Sequence, residues 1–329
     1  MPVNPKAKLV ENLFDPAIKQ EPTRMGYGEG LKLLGDKNPN VVALCADLTG
    51  STQTKKFADS YPDRFVQMGV AEQNLVTVAS GMAAAGKIPY VASYTMFCPG
   101  RAWEQVRTTI CYNDQPVKIA GAHAGVSVGP DGATHQAIED IAIMRTLPNM
   151  QVFSACDSIE NRKVTMTIAD TGKPAFFRFQ REKTPVFTTE ETPFQIGKAQ
   201  VFWEGKDVAI IACGPLVYNA LLAARDLEQE GISCMVVNNA SIKPMDEEVI
   251  TNAAKTCGAV VTVEEHQIMG GMGSRVAEIL VQHHPVPMEF VGVHDRFGES
   301  GEPNELIEAF GMGVGSIKEA IKKVLKRKS

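Results

Sequence analysis

The sequence predicts an α/β protein of two domains, each a mostly parallel sheet flanked by helices. Three observations carry that expectation. Its strand-like runs are nearly continuously apolar, as in strands buried on both faces. They alternate with helical segments, the pattern of crossover connections between parallel strands. The alternation also occurs twice, on either side of "EKTPVFTTEETPFQIGK", a charged and proline-containing stretch with no periodicity. At 329 residues the chain exceeds one typical domain. The linker lies near residues 182–197, and the domains are taken as 1–190 and 191–329.

In the first domain the strand candidates are "NVVALCADL", "RFVQMGV", "PYVASY", "VKIAGAH", "QVFSAC" and "AFFRFQ". Within the second, Phe65, Val66, Met68 and Val70 read as buried, and an alanine-rich helix follows over Gln73 to Ala85. The second domain offers "AQVFWEG", "DVAIIACG", "SCMVVN", "AVVTVEE" and "PMEFVGVH", with helices such as "LVYNALLAARDLEQEG" between them. The chain closes on an amphipathic helix, "SIKEAIKKVLKRKS", whose lysines read as a solvated face.

Composition excludes several functions. A net charge of −5 leaves no basic excess with which to replace phosphate counterions, so nucleic acid is not expected as a partner. No run approaches about 18 apolar residues, and the N-terminus lacks a signal-peptide core, so no membrane association is expected. Seven scattered cysteines without a CxxC pair fit a reducing cytoplasm and buried core positions, and no Cys/His cluster has zinc spacing.

In a parallel α/β sheet, ligands bind beyond the carboxyl ends of the strands, all on one edge. Four connections of the first domain bring chemistry there: Asp47, then Glu72, then Tyr94 with Phe97, then His123. Each has an ordinary reading. Asp47 suits an Asx-type loop, Glu72 suits the positive end of a helix dipole, and the aromatics suit packing. Their coincidence on one edge favours a site. The glycine-rich segment "GAHAGVSVGPDGATHQAIED", residues 121–140, reads as a backbone-exposed loop open to a ligand. It adds Asp131 and His135, and two histidines there suit proton transfer near neutral pH. The "GGMGSRVAE" run could cradle an anion at a helix start, although a structural role is the stronger reading.

Together, "GVAEQN", "GAHAGVSVGPDGATHQAIED", "FQIGKAQV", "SIKPMDEEVI", "VTVEEHQIMGGMG" and "RFGESGEPNEL" resemble the second half of transketolase, from about Arg24 to the end. The resemblance implies a pyrimidine-binding domain followed by a transketolase C-terminal domain, in a thiamine diphosphate-dependent enzyme. The GDG signature of the family's diphosphate-binding half does not occur. The chain therefore resembles the C-terminal subunit of a split transketolase, active only with a separate N-terminal subunit. That partner would hold most of the diphosphate and the Mg2+ or Ca2+ ion, in an α2β2 assembly.

The resemblance also implies residue roles. Glu72 would hydrogen-bond a ring nitrogen of the aminopyrimidine and favour its imino tautomer, which makes it both catalytic and cofactor-binding. That task needs a carboxyl able to share a proton, and burial under a cofactor favours the protonated form. Tyr94 and Phe97 would form the platform under the ring, and Asp47 would lie near the thiazolium side. Arg24, Ser51 and Arg181 would grip sugar phosphate, a task that suits the planar guanidinium fork. His123, Asp131 and His135 would contact sugar hydroxyls, the histidines assisting proton transfer. The implied reaction moves a two-carbon ketol unit between ketose and aldose phosphates in the pentose phosphate pathway. The alternatives are a 1-deoxyxylulose 5-phosphate synthase-like subunit and the beta chain of a 2-oxo acid dehydrogenase's decarboxylating component.

Overall fold

The computed structural model describes residues 2–328. All eleven sequence-predicted strands form. In the first domain they are β2 (Val41–Cys45), β3 (Phe65–Gln67), β4 (Ile88–Tyr94), β5 (Lys118–Ala122), β6 (Gln151–Ser154) and β7 (Ala175–Phe179). They run parallel in the order β6-β7-β5-β4-β2-β3. A short ribbon, β1 (Gln20–Pro22) with β8 (Lys183–Pro185), ties the start of this domain to the linker.

Alternate residues of each strand serve opposite faces. Val41, Ala43 and Cys45 meet Tyr27 and Leu31 of α1 (Thr23–Lys37) and Val164 and Ile168 of α6 (Ser158–Ile168). Val42 and Leu44 instead share a core with Leu75, Val76 and Ala79 of α3 (Glu72–Ala84) and with Ile141 and Met144 of α5 (Asp140–Arg145). Burial on both faces is the reason these runs lack polar alternation. One expectation fails at the sheet edge. β3 stops at Gln67, and Val70 is 72% exposed rather than buried. β3 pairs only with β2, so the chain beyond it has no second neighbour to cover it.

The second domain holds β9 (Gln200–Trp203), β10 (Val208–Ala212), β11 (Cys234–Asn238), β13 (Val260–Gln267) and β14 (Met288–Val293), in the order β14-β13-β10-β11-β9. All neighbours are parallel except β9, which is antiparallel to β11. Helices α7 (Leu216–Gln229) and α11 (Val314–Leu325) cover one face. On α11, Lys318 and Lys322 pair with Glu230, and Lys323 with Glu289, so its basic face is solvated and ion-paired as expected.

The other face of the second sheet shares one apolar core with the first domain. Ala209, Ile211 and Val237 lie in the same cluster as Val42, Leu44 and Ile119. A strand missed by sequence, β12 (Ser241–Lys243), leaves the second domain and pairs antiparallel with β6, making the first sheet seven-stranded. Two to three residues give no readable periodicity, so only tertiary pairing identifies such a strand. Helix α8 (Glu247–Cys257) follows, capped by Asp246, which accepts from Val249 N at 3.2 Å. Among the described residues no helix is long and apolar enough to cross a membrane. All seven cysteines are free and buried.

Candidate active site

Parallel strands deliver their following residues to one edge of the first sheet. Asp47 follows β2 in the left-handed region, with φ of 58°. Its backbone N–H donates to Gln67 Oε1 at 2.7 Å, tying the ends of β2 and β3, while the residue stays exposed. Glu72 is the first residue of α3, one position earlier than the expected helix start, and is 2% exposed. Its carboxylate pairs with Arg101, whose Nη1 donates to Oε2 at 2.8 Å. Cys98 is buried nearby. Burial, with a further contribution from the Glu72 charge, pushes its thiol up to about 12, so it remains a small core residue.

Tyr94 ends β4, and Phe97 sits in the turn that follows. His123 follows β5, also left-handed, with φ of 56°. The Tyr94 ring lies 4.1 Å from His123 and 6.1 Å from His135, and Phe97 is edge-on to His135 at 5.3 Å. The Arg101 guanidinium stands 5.0 Å from the centre of Phe97. An unbroken run of contacts thus links Glu72, Arg101, Phe97, His135, Tyr94 and His123.

Beyond His123 stands a pair of guanidiniums. Arg24 Nη1 donates to the Ser51 carbonyl at 3.0 Å, and Arg181 pairs with Asp131 at 3.2 Å. Burial and the Arg181 charge hold Arg24 below its ordinary range. Burial first, then the charges of Arg24, Arg181 and His135, pull His123 down to about 3. The expectation that both histidines titrate near neutral pH is therefore corrected for His123. It is a neutral ring throughout the physiological range, suited to hydrogen bonding rather than to carrying charge. His135 is only half-buried and shares a hydrogen bond with Thr134 through Nδ1 at 2.9 Å.

A cleft of about 500 Å³ opens beside this row, walled by Thr95, Met96, Phe97, Arg101, Asp140 and Ile143. Apolar walls and a few convergent polar groups are what a heteroaromatic ring requires. Two buried polar atoms of the neighbourhood, His123 Nδ1 and Arg24 Nε, have no partner within the chain, as expected of atoms meant for a ligand. The residues present therefore fit an aminopyrimidine with a polar substrate beside it. Among the described residues no cluster of His, Cys, Asp and Glu has metal-binding geometry. Asp47 and the Ser51 side chain stand outside the contact row, on the neighbouring connection.

The glycine-rich loop overturns a second expectation. Residues 121–129 are buried, not backbone-exposed. A Cβ on Gly125 would come within 2.2 Å of Glu265, one on Gly129 within 3.0 Å of Pro303, and one on Gly132 within 2.6 Å of Ser300. These glycines admit the second domain. Glu265 Oε1 accepts from Ser127 N at 2.6 Å, and Gln136 Nε2 donates to the carbonyls of Val126 and Glu299. The "GGMG" run is likewise filled by the chain itself. Glu264 accepts from Met272 N at 2.7 Å and Gly273 N at 2.8 Å, at the head of α9 (Met272–His283). Sequence reasoning missed Arg101 and Thr134. Nothing local distinguishes Arg101 from a solvated arginine, because its importance comes from Glu72 across 29 residues.

Two family models match, the transketolase pyrimidine-binding domain over residues 19–186 and the transketolase C-terminal domain over residues 197–317. A putative transketolase C-terminal section from Methanocaldococcus jannaschii is 44% identical, covering 92% of this chain and 96% of its own length. A 6-deoxy-6-sulfo-D-fructose transketolase subunit from a Clostridium species is 38% identical over 96% of this chain and 98% of its own. A solved structure described as a split-gene transketolase, an inactive beta4 tetramer, is 45% identical and superposes with a TM-score of 0.88 over 94% of this chain and 99% of its own. With a buried glutamate heading a helix beside an aromatic cleft, and matches along nearly its whole length, the chain belongs to the transketolase family of thiamine diphosphate-dependent enzymes and corresponds to its split C-terminal subunits.

Proposed function

We propose that this chain is the cofactor-activating and substrate-reading subunit of a transketolase that moves a two-carbon ketol unit from a ketose phosphate, such as xylulose 5-phosphate, to an aldose phosphate. The carrying observation is Glu72, a carboxyl 2% exposed at a helix start and joined through Arg101 to the cleft that Phe97 walls. Thiamine diphosphate supplies a carbon nucleophile and an electron sink when bound. Glu72 shares a proton with the aminopyrimidine ring nitrogen. Tyr94 and Phe97 present ring faces to the pyrimidine, and Asp47 stands on the adjacent connection toward the thiazolium. Arg24 and Arg181, with Ser51, take the phosphate. Their mutual repulsion in the chain alone is what a dianion relieves.

His123 acts as a neutral hydrogen-bonding ring on the sugar hydroxyls, with His135 moving protons and Asp131 holding a hydroxyl once a phosphate relieves Arg181. The diphosphate and its Mg2+ or Ca2+ belong to an N-terminal subunit, in an α2β2 complex in the cytoplasm. The similar beta4 tetramer, described as inactive, supports a chain that self-associates and needs that partner. Sugar phosphates of the pentose phosphate pathway are the substrates favoured here. The relative that is a sulfofructose transketolase subunit makes a sulfonated ketose the second reading, since sulfonate and phosphate suit the same guanidiniums.

The test is a coupled assay of the reconstituted pair with xylulose 5-phosphate and ribose 5-phosphate. Sedoheptulose 7-phosphate is expected; its absence rejects this substrate pair. Glu72→Ala is expected to lower turnover by about 10²–10⁴-fold, the range for a positioned proton-transfer group. Unchanged turnover in that variant removes Glu72 from the mechanism.

A further inference from the structure

Arg101 is the residue that the proposed function leaves without a task, and it touches the one group that function depends on. Its Nη1 lies 2.8 Å from Glu72 Oε2, and the two side chains are 50% and 2% exposed. It also lines the cleft and stands over Phe97, the ring that the aminopyrimidine would meet. An ion pair is made by the ionised carboxylate. A hydrogen bond to a ring nitrogen lone pair needs the carboxyl to carry the proton. The guanidinium charge therefore favours the ionised form and the ring nitrogen the protonated one, so the two partners oppose each other.

We infer that Arg101 is a latch on Glu72: a positioning residue that satisfies the buried carboxylate in the free chain and must swing out of the cleft for thiamine diphosphate to take it over. This rests on the reading that the cleft receives the aminopyrimidine. Several features suit the motion. Arg101 is half in solvent, so its guanidinium is rehydrated on leaving. Glu72 is nearly sealed, so it needs a partner at all times and moves from one to the next. Residue 101 lies in the turn before the helical stretch that runs over Trp103–Gln105 and on through Val106–Tyr112, not within it.

The latch competes with the cofactor, so its removal strengthens binding. Thiamine diphosphate is titrated into the reconstituted complex and followed by calorimetry, independently of turnover. Arg101→Met is expected to bind about fivefold more tightly, the factor an ion pair of this exposure can supply. Arg101→Lys restores near-wild-type affinity. In a Glu72→Gln background, Arg101→Met changes nothing, because no carboxylate remains to be released. If Arg101→Met does not fold, Arg101→Gln, uncharged but still able to donate to Glu72, is expected to shift affinity in the same direction. Equal or weaker binding by the uncharged variants, with normal binding by the wild type, overturns the latch alone. A wild-type complex that binds no thiamine diphosphate overturns the functional reading and the latch with it.

Discussion

The two sheets of this chain are both mostly parallel and use their carboxyl edges in opposite ways. Beyond the first sheet, Asp47, Tyr94 and His135 stay at least partly exposed, and His123 keeps a ring nitrogen without a partner. Beyond the second, two carboxylates and an amide nitrogen are spent on the protein itself. Asn238, at the end of β11, donates to Glu160 at 2.7 Å, while Glu264 and Glu265, late in β13, are held by Met272, Gly273 and Ser127. The same strand-end geometry that presents side chains to a ligand can present them to a neighbouring domain. What distinguishes the two edges is whether the side chains stay open or are covered by the neighbouring domain: Asn238, Glu264 and Glu265 are each at most 4% exposed.

The strongest way to break that contrast is at Arg178, which is 1% exposed and lies where both domains meet. Its Nε approaches Asp140 Oδ2 at 2.9 Å, close but not aligned as a hydrogen bond, and Nη1 donates to the Glu265 carbonyl at 3.1 Å. Arg178→Met leaves Asp140 buried without its counter-charge, a loss of about 3–5 kcal/mol. Urea unfolding of the chain is expected to shift strongly and to separate into two transitions as the domains uncouple. A single transition displaced by under about 1 kcal/mol, the scale of an exposed pair, would mean the junction does not depend on this residue.

Gly125 gives a smaller and cleaner effect. Its φ is 84° and its absent Cβ would strike Glu265, whereas Gly86 has a φ of 86° with nothing within 4 Å. Alanine at either position carries the strain of a positive φ, about 1–3 kcal/mol, and Gly125, with ψ of −178°, stands in the region essentially reserved for glycine. Alanine at Gly125 adds an overpacking cost of about 1–3 kcal/mol and dislodges the carboxylate from Ser127 N. Thermal unfolding of both variants is the measurement. The expected excess at Gly125 combines its glycine-only backbone with the close approach of the domains, and equal losses would show that neither adds to the strain of a positive φ.

Sequence carries the core and loses the junction, for physical reasons that particular residues show. Val41 to Cys45 announce a strand because both faces are covered by helices of their own domain. Val70 was misread because apolar character does not reveal that a strand is at an edge and ends early. Glycines 125, 129 and 132 looked like freedom for a ligand, yet the bodies they admit, Glu265, Pro303 and Ser300, lie 140, 174 and 168 residues away. Local pattern cannot tell which neighbour a glycine makes room for. Glu72, Tyr94, Phe97 and His123 were legible because strand ends of a parallel sheet converge by topology. Arg101 was not, since its partner is set by how one turn folds over another.

Glu160 offers the finest test, because it faces the covered edge of the second sheet through Asn238 and should report on it through pH. It is fully buried, accepts from Cys156 N and from Asn238 Nδ2 at 2.7 Å each, and burial pushes its carboxyl up to about 7 from an ordinary 4.5. Between those values the folded chain binds a proton that the unfolded chain has released. Its contribution is therefore complete below about 4.5 and lost as pH rises through about 7, with a slope of up to about 1.4 kcal/mol per pH unit within that window. His123 and His266, both pulled down to about 3, act in the opposite sense and favour the folded chain as pH rises from about 3 to 6.5. The whole-protein curve thus mixes signs, and only the difference between wild type and Glu160→Gln isolates this residue. Glutamine can still accept from Cys156 N and can donate to Asn238 Oδ1, which has no partner at present, once the Asn238 amide turns over. Urea midpoints measured from pH 5 to 8 should show the wild type losing stability relative to the variant as pH rises. A difference that is flat with pH would mean the carboxyl is already ionised in the junction, and that the buried edge tolerates charge much as the open one does.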